Sequence, residues 1–216
     1  MQKTLSSFGH QLEVVEGNAL EVLKQVHEAR GIITLLSYEE TGLDVTFQRD
    51  RNVSAFCQDA GIDWQEFQTN GIQRKRKDRK GWNRSWHKVM SSACVDVNLK
   101  ALKTMALSEH ETLQSLRTKR FEKWHQKRSE MQVGGPTEAS RALNSFLDDR
   151  GWGYQKFISK PEKSREHCSR LSPYLAWGNL SMREAYQALQ QQEKRTGWTR
   201  SSTAFQSRPH RHWHSS

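Results

Sequence analysis

The residues best equipped for chemistry lie between 164 and 184, in the string SREHCSRLSPYLAWGNLSMRE. Ser169, Arg170, Leu171 and Ser172 come directly before Pro173, a residue that favours the first position of a helix. A helix opening there offers backbone N–H groups without intrahelical partners and the positive end of its dipole. The hydroxyls of Ser169 and Ser172 can donate to phosphate oxygens, and Arg170 can balance their charge. That combination suits a small anionic ligand such as a pyrophosphate. The same residues also describe an ordinary capped helix start, and spacing alone leaves both readings open.

Other candidate groups are less specific. Residues 73–88, QRKRKDRKGWNRSWHK, carry eight Lys or Arg against one Asp. Cations interleaved with Trp82 and Trp86 could grip a phosphate backbone and stack on bases. Alternatively the run is a solvated face whose tryptophans dock on neighbouring structure. A second run, Arg117 to Arg128, reads as an exposed helix face, and no helix-turn-helix, zinc-finger or RNP pattern accompanies either run. The tail has His-Arg-His-Trp at 210–213 and then His214, with no carboxylate or cysteine nearby to define a metal geometry. Cys57, Cys94 and Cys168 are odd in number and widely spaced, which predicts neither a disulfide framework nor a zinc site and suits a reducing compartment. No GxSxG, HExxH or Walker loop is present. The pairs Glu39-Glu40 and Asp148-Asp149 are adjacent in sequence, and adjacent residues do not face each other on a helix.

The elements that must position these groups follow from periodicity. Residues 11–15, QLEVV, alternate like a short strand. Ala19 to Arg30 is helical, with Gly31 as its stop. Residues 32–36 are apolar and read as a buried strand, 45–60 as a helix, and 62–67 as a further strand. The order β-α-β-α-β is that of a parallel α/β sheet. Residues 91–133 read as a connecting region with helical stretches, Leu113 to Trp124 among them, and Gly134-Gly135-Pro136 breaks the chain. From Thr137 a helix carries Ala142, Leu143, Phe146 and Leu147 on one stripe and ends near Gly151 and Gly153. Residues 161–167 read as polar loop and 172–178 as a short helix. Ser181 with Glu184 matches a capping box at the start of another helix. The fold class predicted is therefore α/β followed by all-α.

Composition bounds the rest. The 216 residues carry a formal charge of +10 with only 34% hydrophobic side chains, yet eight Trp and eight Phe. No run approaches the ~18 apolar residues of a membrane span, and so many large aromatics argue against a chain that never packs. No apolar leader follows Met1, so the cytoplasm is the expected location, and a membrane is not an expected partner.

The segment CSRLSPYLAWGNLSMRE closely resembles the start of the FAD-binding helical domain of the DNA photolyase/cryptochrome family. In that family a Thr/Ser-Ser-Arg-Leu-Ser stretch contacts the flavin's phosphates, which carries over here to Cys168, Ser169, Arg170, Leu171 and Ser172. Cys168 stands where a hydroxyl residue is common, and a thiol is a weak donor. An upstream aromatic also touches FAD in the family, and Tyr154 matches it. GIQRKRKDRKGWNRSWHKVM resembles the end of the family's N-terminal α/β domain. SYEETGLDVTFQRDRNV resembles the preceding strand-to-helix passage, and GGPTEASRALNSFLDDR the entry to the helical domain.

The resemblance implies a partial Rossmann-like, antenna-type domain over 1–90, an interdomain linker over 91–134, and the first helices of a helical FAD-binding domain over 135–216. It implies FAD as cofactor, an antenna chromophore of unassigned identity, DNA containing pyrimidine dimers as partner, and a monomer. The implied activity is blue-light-dependent dimer repair by electron transfer from reduced FAD. The alternative is a cryptochrome-type photoreceptor without repair. The family's first strand and its later flavin-pocket helices have no counterpart in the string, so the resemblance implies an inactive fragment cut at both ends, with no catalytic residue to assign. A basic nucleic-acid-binding protein that uses neither flavin nor light is a third class.

Overall fold

A computed structural model of the chain describes residues 2–68, 71, 74, 78, 80–116, 129–196 and 202–206. These fall into two compact units, one within 1–69 and 97–128, the other within 70–96 and 129–216.

The first unit is α/β. A short helix, α1 (Gln2–Ser6), precedes α2 (Ala19–Arg30). The Asn18 side chain caps α2 by accepting from the Leu20 N–H at 3.0 Å and the Glu21 N–H at 3.4 Å. Gly31 ends it with φ of 70° and an N–H bond to the His27 carbonyl at 2.7 Å. Strands β1 (Thr34–Tyr38) and β2 (Asp63–Phe67) flank α3 (Asp44–Asp59) in sequence and pair in parallel, from Thr34 opposite Asp63 to Tyr38 opposite Phe67. Alternation sends Leu35 and Trp64 to the covered face, and the Trp64 Nε1–H donates to the Ser37 hydroxyl at 3.0 Å. There they meet a small core of Val53, Cys57 and Ile62. Leu36, Tyr38 and Phe67 stand on the exposed face.

Two sequence expectations change here. Residues 11–15 do not form a strand; Val15 makes an isolated bridge. The segment's polar groups are used elsewhere: the Glu13 carboxylate accepts the Leu107 N–H at 3.2 Å. Just upstream, His10 reaches the Leu99 carbonyl at 2.7 Å and the Thr104 hydroxyl at 3.0 Å. The strand expected over 32–36 begins two residues later. The Ile32 N–H is taken by His27 Nδ1 at 3.0 Å, and ladder pairing starts where the Asp63 N–H meets the Ile33 carbonyl at 3.0 Å. Short 3-10 turns at Leu99–Ala101 and Leu107–Glu109 and the helix α5 (Glu111–Gln114) complete the described part of this unit, with Leu113 fully buried. The helical spacing from Leu113 to Trp124 mostly falls on 117–128, outside the described residues, so the Arg117–Arg128 face does too.

The regular structure described in the second unit is all helical. It contains α4 (Trp82–Met90), α6 (Pro136–Asp148), a 3-10 turn (Arg150–Gly153), α7 (Tyr154–Phe157), α8 (Pro161–His167), α9 (Ser172–Ala176), α10 (Met182–Thr196) and a helical turn over 202–206. The stripe on α6 (Ala139, Leu143, Phe146, Leu147) packs with Leu171, Tyr174, Leu189 and Phe205. The capping box forms: the Glu184 N–H meets the Ser181 hydroxyl at 3.0 Å, and the Ser181 N–H meets the Glu184 carboxylate at 2.7 Å. The polar loop expected over 161–167 is instead α8. Pro161 sits in its first turn with Glu162, Arg165 and His167 lie in its last turn, and these placements complement the helix dipole.

No helix among the described residues is long and apolar enough to cross a membrane.

Trp86 is 1% exposed and packs on Met90 and Met182. Trp86→Ala is expected to destabilise the second unit by ~3–5 kcal/mol, read as a lowered Tm in thermal unfolding. In the first unit, burial acts to raise the Glu40 carboxyl. Hydrogen bonds from the Gly42 and Thr41 N–H groups and the Arg49 charge outweigh it, leaving the group below its ordinary 4.5. Glu40 therefore contributes stability above pH 4.5, lost as pH falls through the lower folded value. Glu40→Gln is expected to flatten that acid limb, measured as Tm against pH.

Candidate functional site

Helix α8 ends at Cys168, whose N–H closes on the Ser164 carbonyl at 2.8 Å, and the chain turns before α9 begins at Ser172. The turn contains the one non-glycine residue with positive φ among the described residues: Arg170, at 57°. Such a conformation costs an L-residue about 1–3 kcal/mol and persists only where its surroundings hold it. Leu171 follows in the right-handed region, with φ of −84° and ψ of −15°, and is 1% exposed in the core. A left-handed residue followed by a right-handed one brings successive backbone N–H groups to the same side, the concave arrangement that receives anions. Here those groups belong to Arg170, Leu171 and Ser172. The Leu171 N–H makes a long contact to the Ser169 hydroxyl at 3.5 Å.

Two side chains from outside the turn hold it. Arg150, in the 3-10 turn after α6, directs its guanidinium at four oxygens. Nε donates to the Ser145 hydroxyl at 2.8 Å, and Nη1 to the Cys168 carbonyl at 2.5 Å. Nη2 donates to the Ala142 carbonyl at 2.9 Å and, at 3.5 Å, to that of Ser169. Gln132 makes a reciprocal pair with Arg170: its amide donates to the Arg170 carbonyl at 3.0 Å and its oxygen accepts from Arg170 Nε at 3.2 Å. Burial pushes the Arg150 guanidinium below its ordinary value, and the nearby Arg170 cation pushes it the same way. The guanidinium still remains charged. The Asp149 carboxylate acts on Arg150 in the opposite direction.

The sequence-predicted site residues separate into two groups. Ser169 is half-buried, while Arg170 and Ser172 are exposed, and all three share this turn with the half-buried, unbridged Cys168. Tyr154 is 5% exposed and lies in the core, edge-on to Phe146 at 5.5 Å and to Phe205 at 5.8 Å. It shares that core with Leu171, so the structure gives Tyr154 and Leu171 a packing role beneath the turn.

The basic segment resolves one alternative. Trp86 is buried against Tyr186, ring centroids 5.2 Å apart, with Trp82 stacked on it at 6.2 Å. Trp86 thus takes the packing role and has no face left for a base. Lys80, Arg84 and Lys88 are exposed. Residues 72, 73, 75–77 and 79 lie outside the described residues, as do His210, His212 and His214. Among the described residues no group of three His, Cys, Asp or Glu is placed to hold a metal.

Sequence reasoning missed Arg150, Gln132 and Gly153. Arg150 and Gln132 bond largely to backbone carbonyls far along the chain, which leaves no mark in residue spacing. Gly153 was legible only as a helix stop. A Cβ there would lie 2.7 Å from His167 Nδ1 and 2.8 Å from Phe157 Cδ2. That close approach lets His167 stack on Phe157 at 4.3 Å and reach the Arg150 carbonyl at 3.1 Å.

No protein-family model matches the chain, and no curated protein matches it.

Gly153→Ala is expected to cost about 1–3 kcal/mol by overpacking against His167 and Phe157, measured by denaturant unfolding with an unchanged slope.

Proposed function

We propose that this chain belongs to a blue-light-dependent flavoprotein of the photolyase/cryptochrome type, in which residues 168–172 hold the diphosphate of FAD. The observation that carries the proposal is the left-handed Arg170 followed by right-handed Leu171, on the segment whose sequence resembles the family's phosphate-contacting stretch. The donors fit the group: the N–H groups of Arg170 and Ser172, the hydroxyls of Ser169 and Ser172, and the adjacent Arg150 and Arg170 cations. Cys168 adds only a weak donor. Tyr154 and Leu171 support the turn from the core.

In the same proposal the parallel β1–β2 unit is part of a Rossmann-like antenna-type domain, and the helical unit begins the FAD-binding domain. DNA bearing pyrimidine dimers is the proposed partner, and the exposed Lys80, Arg84 and Lys88 support an attraction to a phosphate backbone. When bound, reduced FAD supplies the light-driven electron that splits such a dimer. This chain's own share is to bind and orient the diphosphate. Its serine hydroxyls and turn N–H groups donate to phosphate oxygens, while the arginines offset their charge.

Calorimetric titration of the 216-residue chain with ADP tests the assignment, because ADP carries the diphosphate without the flavin ring. Replacing Ser169 and Ser172 together by Ala is expected to weaken ADP binding about tenfold or more, since each hydrogen bond to a charged group is worth ~1.5–3 kcal/mol. Unchanged affinity in the double variant, or no binding by the parent chain, would overturn the proposal.

A further inference from the structure

We propose that Arg150 is the positioning residue for the 168–172 turn: its guanidinium, with Gln132 as a second clamp, holds the turn in the conformation that receives phosphate. This rests on reading the turn as a phosphate cradle. Arg150 joins two pieces of chain that sequence does not connect. Two of its acceptors, the Ala142 carbonyl and the Ser145 hydroxyl, belong to α6; the other two, the Cys168 and Ser169 carbonyls, belong to the turn. The planar fork suits that task, whereas a lysine ammonium is a single point of donors on a flexible stem.

The direction of these bonds matters for the ligand. Carbonyl oxygens repel an anion, and those of Cys168 and Ser169 are engaged by Arg150. The Arg170 carbonyl is engaged by Gln132. With three successive carbonyls held and the Leu171 N–H turned toward the Ser169 hydroxyl at 3.5 Å, the turn presents the N–H groups of Arg170 and Ser172 beside that hydroxyl. Arg170 is kept left-handed without being glycine, and a second cation is kept beside Arg150. A plain helix start requires no left-handed residue, and the strain there is held by the contacts around it.

The test uses the full 216-residue chain, with inorganic pyrophosphate as the probe. Backbone amide NMR reads pyrophosphate affinity at residues 169–172, and the coupling between the Arg170 Hα and the Ser169 carbonyl carbon reads the Arg170 φ without any ligand. Arg150→Lys keeps the charge and removes the fork. It is expected to lose the positive-φ signature at Arg170 and to bind pyrophosphate at least tenfold more weakly, with unfolding still cooperative. Arg150→Lys that keeps both the Arg170 coupling and the parent affinity would overturn the inference. If Arg150→Lys does not fold, Gln132→Ala decides: three- to tenfold weaker binding supports the clamp, and parent-like binding refutes it. A parent chain that ignores pyrophosphate while Arg150→Lys still shifts the Arg170 coupling would refute the phosphate reading itself, leaving the strut as architecture only.

Discussion

The Arg150 guanidinium bridges α6 and the turn before α9, and the shape of that turn depends on the bridge. Arg150 donates to the Ala142 carbonyl in α6 and to the Cys168 carbonyl in the turn, at the cost of bringing a charged group partly out of water. Beneath it the apolar stripe of α6 packs on Tyr154, Leu171 and Tyr174. Leu171 connects the two layers. Its side chain is sealed in the core while its backbone lies in the turn, so core packing fixes the turn from below as Arg150 and Gln132 fix it from the side. Local strain at Arg170 is tolerated because three independent contacts over-determine it.

Local signals in the sequence translated well into structure. The Ser181–Glu184 capping box, the Gly31 stop and the α6 stripe each depend on residues within a turn or two of one another. The parallel pairing of two strands around a helix was legible for the same reason. Failures came where distant partners decide. The alternation of residues 11–15 gave way to side-chain bonds from Glu13 and His10 to residues near 100. Helix α8 was hidden by its polar composition, although Pro161, Glu162 and the late basic residues were the cues to it. At the site, the Ser169–Ser172 string was visible, but its shape depends on Arg150 and Gln132, whose backbone acceptors no periodicity reveals. Tyr154, chosen by resemblance, lies in the core with Phe146 and Phe205.

Charge and aromatic content also separate cleanly along α4. Trp86, Met90 and Tyr186 form a packed cluster, and Gln187 holds the end of the helix by donating to the Met90 and Ser92 carbonyls at 2.9 and 2.7 Å. The exposed side carries Arg84 and Lys88. The tryptophans of the basic stretch are thus part of the helical unit's own packing.

The most direct measurement of the central claim is displacement of FAD from the 216-residue chain by inorganic pyrophosphate, followed by flavin fluorescence. If the turn at 168–172 receives the diphosphate, FAD binds and pyrophosphate releases it competitively. FAD that stays bound at saturating pyrophosphate, or a chain that takes up no FAD at all, would contradict the account.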